Sequence, residues 1–141
     1  EILHGFNYKK IDSFGKPEKG TFQVYTRQGT YVVDIDNSGI EDPANKLDCA
    51  VLEGMIYNRL GLTPDSMQDQ SIFNYKPGTR LNDMKALVDA EVYDIAISLH
   101  EVSNEELMAV SHSVLTGGNP MPQKATYVVP KFPTGIIAKR I

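Results

Sequence analysis

A chain of 141 residues, 41% hydrophobic and 23% charged, is long enough to bury one core and too apolar to be a disordered tail. Its formal net charge of −4 argues against general nucleic-acid binding, which rests on clustered Lys and Arg that neutralise phosphates. A single cysteine, Cys49, excludes an internal disulfide and any cysteine-based zinc cluster, and it points to a reducing, cytoplasmic compartment. Cys49 itself reads as a small buried apolar residue. No run approaches the roughly eighteen apolar residues a bilayer crossing needs, so no membrane partner is expected. The chain starts at Glu1 without an initiator methionine, and the expectation is a piece of a longer protein.

Residues 1–19 are polar and turn-rich, with Gly5, Gly15 and Pro17, and read as an arm or linker. Residues 20–141 read as a single α/β domain. Thr21 to Thr26 alternates, Arg27-Gln28-Gly29 turns, and Thr30 to Asp36 alternates again, which predicts a β-hairpin. Asp34 and Asp36 then share one strand face; lacking a third oxygen ligand they read as a solvated edge rather than a cation site, and no metal is expected. After a loop at 37–45, Leu47, Val51, Leu52, Met55, Ile56 and Leu60 recur at three- and four-residue intervals. That spacing predicts an amphipathic helix over 46–60 with Gly61 as its C-cap.

Ser71 to Tyr75 reads as a short strand ended by Pro77-Gly78, and Thr79 or Asn82 can cap a second helix from Leu81 to Ala90. Its apolar face is Leu81, Met84, Leu87 and Val88. Tyr93 to Leu99 is apolar and rich in β-branched residues, as a buried central strand would be. Ser103 with Glu106 three residues on forms a capping-box pattern for a third helix reaching about Leu115, with Leu107, Val110 and Val114 as its core stripe. Thr116 to Pro120 breaks it. Two extended segments follow, Ala125 to Val129 and Ile136 to Ile141, bent apart by Pro130 and Pro133. The order β-β-α-β-α-β-α-β-β gives an α/β fold: a mixed sheet with β-hairpins at both ends and about three amphipathic helices.

Recognisable chemistry is sparse. There is no P-loop, dinucleotide fingerprint or nucleophile elbow, and His4, His100 and His112 are too scattered for a metal motif. His112 lies mid-helix, where half-buried packing is expected. His100 stands at the end of the predicted central strand, where open α/β sheets bind ligands; it reads either as a satisfied structural histidine or as a general base.

Charge is distributed unevenly. No acidic residue follows Glu106, whereas Lys124, Lys131, Lys139 and Arg140 all do, so the last segment carries +4 and the remainder −8. Lys124, Thr126 and Lys131 place two ammonium groups and a hydroxyl within eight residues, and a strand there puts Lys124 and Thr126 on one face. Such a face can hold a small phosphate-bearing anion. In the competing reading the basic segment pairs with an acidic surface, the prolines set a tight crossing, and Tyr127 and Phe132 fill the core.

Glu105-Glu106-Leu107-Met108-Ala109-Val110 followed by Met121-Pro122-Gln123-Lys124-Ala125-Thr126-Tyr127-Val128-Val129-Pro130-Lys131-Phe132-Pro133-Thr134-Gly135 resembles the carboxy-terminal signature of a bacterial and archaeal family, domain of unknown function 1015. The hairpin from Gly20, with Tyr31-Val32 where an aromatic pair is usual, and the helix Leu47-Asp48-Cys49-Ala50-Val51-Leu52-Glu53 with Leu60-Gly61-Leu62 are similar to that family too. Ala125 departs from the serine usual between the lysine and threonine. The resemblance runs from about Gly20 onward and implies the carboxy-terminal portion of a longer protein, a family with no settled activity and no indicated cofactor.

Enzyme and binding module are therefore both open. As a module, the chain packs on an upstream domain of the same polypeptide and binds a small anion; a second copy is a further partner left open. The family has been likened to nucleotide-using ParB-like folds, which names the enzymatic alternative. In it a phosphotransfer or hydrolase site is completed by an upstream region, with His100 or Asp94 as general base and the lysines stabilising developing negative charge.

Overall fold

In the computed structural model, which describes residues 3–63 and 65–122, the predicted hairpin is present as β2 (Thr21–Thr26) and β3 (Gly29–Asp34). Alternation drives it. Phe22 and Val24 on β2 and Val33 on β3 turn to one face and are buried there. The turn closes at Gly29, whose φ of +146° suits glycine; a Cβ there would stand 2.6 Å from Cε of Lys10, which crosses the turn.

β3 ends at Asp34, so Asp36 lies beyond the strand and the two carboxylates do not share a strand face as expected. Asp34 accepts from the Asn7 amide, while Asp36 accepts from the backbone and hydroxyl of Ser38 in a local turn. Those two bonds to Ser38 lower the Asp36 pKa.

The segment read as an arm or linker over 1–19 is instead built into the domain. Tyr8–Ile11 forms β1, antiparallel to β3, with Lys10 opposite Tyr31 and Ile11 opposite Thr30. Leu3 and Phe6 pack against the core, and Gly15 is held from both sides: its N–H donates to Gln23 Oε1 and its carbonyl accepts from Ser98. Three of the four β1 residues are exposed, so the strand lacks the apolar alternation by which strands are recognised.

α1 (Asp48–Leu52) continues directly into a wider π-helical stretch, Glu53–Tyr57, and together they carry Leu52 and Ile56 onto Phe22, Val24 and Val33. Gly61 stops the helical stretch at φ +68°, in the left-handed conformation expected of that cap. Ser71 to Tyr75 is not a strand. Asp69 folds the start into a turn by accepting from the N–H and hydroxyl of Ser71, and Phe73 packs edge-on against Tyr57 and Tyr75 against Phe73 rather than joining a ladder. A single turn, Gly78–Arg80, leads into α2 (Leu81–Asp89), so neither Thr79 nor Asn82 caps it. Its buried contact is Val88, with Leu81, Met84 and Leu87 half-buried as the periodicity predicts.

β4 (Ala96–Leu99) completes a four-stranded sheet in the order β1-β3-β2-β4, antiparallel at every described pairing. Expected as a central strand, β4 has one described neighbour, β2. It reads as central because both its faces are covered. Ile97 and Leu99 join the core under α1, while Ala96 and Ser98 are buried on the opposite face.

α3 (Asn104–Val114) opens with the capping box foreseen: Ser103 Oγ accepts from the N–H of Glu106, and the Glu106 carboxylate accepts from the N–H of Ser103. Ser103→Ala is expected to cost about 1 kcal/mol of stability, read as a lower urea midpoint with an unchanged slope. Of the predicted stripe only Val110 is buried. Leu107 and Val114 stay exposed beside Met108 and Leu115, and His112 is exposed rather than half-buried. The mixed α/β class stands; the two extended segments foreseen after Ala125 lie outside the described residues.

Candidate functional site

An open cleft of about 1810 Å³ runs along β4. One wall is α2, through Met84, Leu87 and Val88; the other is the π-helical stretch, with Glu53 and Tyr57, and the loop carrying Phe73, Tyr75 and Lys76. Helices rarely widen to π geometry without cause, and such turns recur at binding sites. Here the widened stretch presents Tyr57 to the cleft. Its ring meets Phe73 edge-on at 5.3 Å between centroids, and Phe73 in turn lies 4.6 Å from the ring of Tyr75. The loop is also tied to the β4 side of the cleft, because the Tyr93 hydroxyl donates to the carbonyl of Gln70.

Electrostatically the cleft is quiet. Burial raises the Tyr57 hydroxyl well above the usual phenol range, and its bond to Tyr75 adds to this; Tyr75 is also raised, chiefly by burial. Burial likewise raises the Cys49 thiol, so at neutral pH Cys49 is protonated, as a structural cysteine is. Lys16 at one rim is paired with Glu101 at 2.8 Å. Lys76 is half-buried in the wall, and no ion pair holds it among the described residues.

His100 and Asp94 both line this cleft, but at opposite ends of β4. Six residues of near-extended chain separate them by on the order of 15–20 Å. They cannot act on one reacting atom. Nδ1 of His100 lies 2.9 Å from the carbonyl oxygen of Glu101, and the Asp94 carboxylate, 98% exposed, faces Arg27 at 3.7 Å. Lys124, Thr126 and Lys131 lie outside the described residues.

A second charged cluster escaped the sequence reading. Asp48, 2% exposed at the start of α1, accepts the Gly20 N–H at 3.1 Å and faces Lys19 Nζ at 3.3 Å through Oδ2, while Oδ1 has no partner among the described residues. Lys19 also reaches Glu106 at 2.6 Å. One ammonium thereby joins the first turns of α1 and α3. With Lys19 already between the carboxylates, the cluster is a tie between elements and not a vacant cation site. Among the described residues no group of three or more His, Cys, Asp or Glu side chains is placed to hold a metal ion, and no helix is long and apolar enough to cross a membrane.

Comparison of the chain with protein-family models, with curated proteins and with solved structures finds no match.

Proposed function

We propose that this chain is a non-catalytic binding module of a longer cytoplasmic protein related to the domain of unknown function 1015 family. It takes a small ligand with an aromatic or apolar part and a phosphate or other anion. The observation that carries this reading is the make-up of the cleft: Tyr57, Phe73 and Tyr75 form an aromatic wall, with Lys76 beside them. Ligand sites are typically apolar clefts with a few placed polar groups, and a ring laid against this aromatic wall with its anion on an ammonium fits that pattern. The 98% exposure of the Asp94 carboxylate and the engagement of His100 Nδ1 with the Glu101 carbonyl speak against the enzymatic alternative, in which one of them serves as base of a phosphotransfer or hydrolase site. The exposed apolar residues Leu107, Met108 and Val114 on α3, with Leu115 just after it, suit packing on an upstream domain of the same polypeptide.

A mononucleotide, the matching nucleoside and inorganic phosphate separate the contributions of ring and anion. At a hundredfold excess over its Kd, the mononucleotide stabilises the fold by about 2.7 kcal/mol, read as a raised Tm. The nucleoside and phosphate alone should do less. Lys76→Ala weakens the mononucleotide, and Lys124→Ala with Lys131→Ala weakens it further. Wild-type affinity in the triple variant, or no stabilisation by any compound, would end the proposal. Turnover by a longer protein that drops a hundredfold on His100→Ala would restore the enzymatic reading.

A further inference from the structure

We infer that a hollow of about 470 Å³ on the sheet face turned away from α1 binds a free aromatic amino acid. Its floor is one rung of the sheet. Ile11, Thr30 and Tyr25 stand directly opposite one another on β1, β3 and β2, and directly opposed residues share a face. Tyr25 follows the buried Val24, so this rung points away from the core that α1 covers. The volume falls within the roughly 300–1,000 Å³ of small-ligand pockets.

One side of the hollow suits a ring. Phe14 and Tyr25 both line it, with centroids 5.6 Å apart and planes tilted by 39°, so they offer two aromatic surfaces at an angle. Both are held in place before any ligand arrives. The loop that carries Phe14 is tied down at the next residue, where the Gly15 N–H donates to Gln23 and its carbonyl accepts from the buried Ser98. The Tyr25 hydroxyl donates to Asp89 on α2, which also pairs with Lys85 at 2.7 Å. An ordered wall lowers the entropic cost of binding.

The charges select a zwitterion. Lys85 lines the hollow too, but Asp89 cancels its charge. Lys10 donates to the Gln28 carbonyl at 3.2 Å, a neutral partner that leaves its positive charge uncompensated. Gly29 makes room for it, since a Cβ there would stand 3.1 Å from Nζ of Lys10. Asp12 brings a carboxylate to the same hollow. Lys10 and Asp12 flank Ile11 at the end of β1, roughly 6–7 Å apart along a near-extended chain. One cation and one anion at that spacing suit the neighbouring carboxylate and ammonium of an amino acid better than a phosphate, which Asp12 would repel. Thr30, 4% exposed, lines the floor and carries a hydroxyl that can both donate and accept. None of this depends on the cleft along β4.

Titration of the full 141-residue chain, followed by NMR, compares L-phenylalanine with phenylpropionate, which lacks the ammonium, and phenethylamine, which lacks the carboxylate. Expected are shifts at Phe14, Tyr25 and Thr30, with L-phenylalanine binding about tenfold more tightly than either analogue, the worth of one charged hydrogen bond. Lys10→Gln should bring it down to the level of phenethylamine, and Asp12→Asn to that of phenylpropionate. Both residues are exposed, so neither change threatens the fold. Equal affinity for all three compounds, shifts confined to Tyr57, Phe73 and Lys76 in the cleft, or no shifts at millimolar ligand would each overturn the inference. Binding of L-phenylalanine that neither variant weakens would do so as well.

Discussion

Phe22→Ala is expected to lower the unfolding free energy by about 3–5 kcal/mol, the range for truncating a buried aromatic. Phe22 is 0% exposed and sits where three elements meet: opposite Val33 across the hairpin, opposite Leu99 on β4, and beneath Leu52 and Ile56. The alanine leaves a cavity that strands pinned by ladders on both sides of β2 cannot close. A domain of this size holds about 5–15 kcal/mol in all, so the loss takes a large part of the stability. Urea unfolding checks it: with a slope of about 2 kcal/mol/M, the midpoint falls by about 2 M. Leu115→Ala, at a residue 81% exposed, should change stability by no more than about 0.5 kcal/mol. Equal costs for the two variants would mean that this core is not the one the chain uses.

Lys19→Met should be the other costly change, and its cost should depend on pH. Without the ammonium, the buried Asp48 carboxylate keeps only the Gly20 N–H, and an uncompensated buried charge is expensive. The side chain of Lys19 is 42% exposed, so water takes over part of its role and the loss is about 2 kcal/mol rather than the 3–5 of a fully buried pair. Burial works against the charged form of Lys19, but the bonds to Glu106 and Asp48 outweigh it and leave its pKa above the ordinary 10.5. Burial likewise works to raise Glu106, but its bonds to Lys19 and Ser103 leave it below the ordinary 4.5.

A depressed carboxylate stabilises the fold above its unfolded pKa, and that contribution is lost as pH falls through the folded value. A raised lysine stabilises below its unfolded pKa, and its contribution is lost as pH rises through the folded one. The tie therefore acts in full from about pH 5 to 10. Melting of wild type, Lys19→Met and Glu106→Gln across pH 3 to 9 should show Glu106→Gln approaching wild type at the acid end. A gap that stays constant down to pH 3 would show that Glu106 is not part of the tie.

Features closed within a few residues were legible in the chain. Ser103 and Glu106 satisfy each other across one helical turn, Gly61 stops a helix by its own dihedral freedom, and the alternation of Thr21 to Thr26 allows only one face to be buried. Other features depended on distant neighbours. Tyr8–Ile11 is a strand because the open edge of β3 supplies its ladder, and its own side chains contribute little. Ser71 to Tyr75 has the composition of a strand but found Tyr57 before any partner strand.

The same division holds at the candidate site. His100 and Asp94 could be listed from their positions around an apolar run, yet only the extended form of β4 sets them too far apart to share a task. The Asp48, Lys19 and Glu106 cluster comes from three segments separated by up to 87 positions, and none of the three is unusual in its local context. The sequence by itself determined the α/β class, the hairpin, the capping box of α3, the stop at Gly61 and the basic end of the chain, because propensity, capping and charge act over a turn or two. Tertiary structure alone decided which strands pair, which aromatic side chains wall the cleft and which charges meet. Those outcomes depend on contacts between residues remote in the chain, and no local pattern encodes a partner's position.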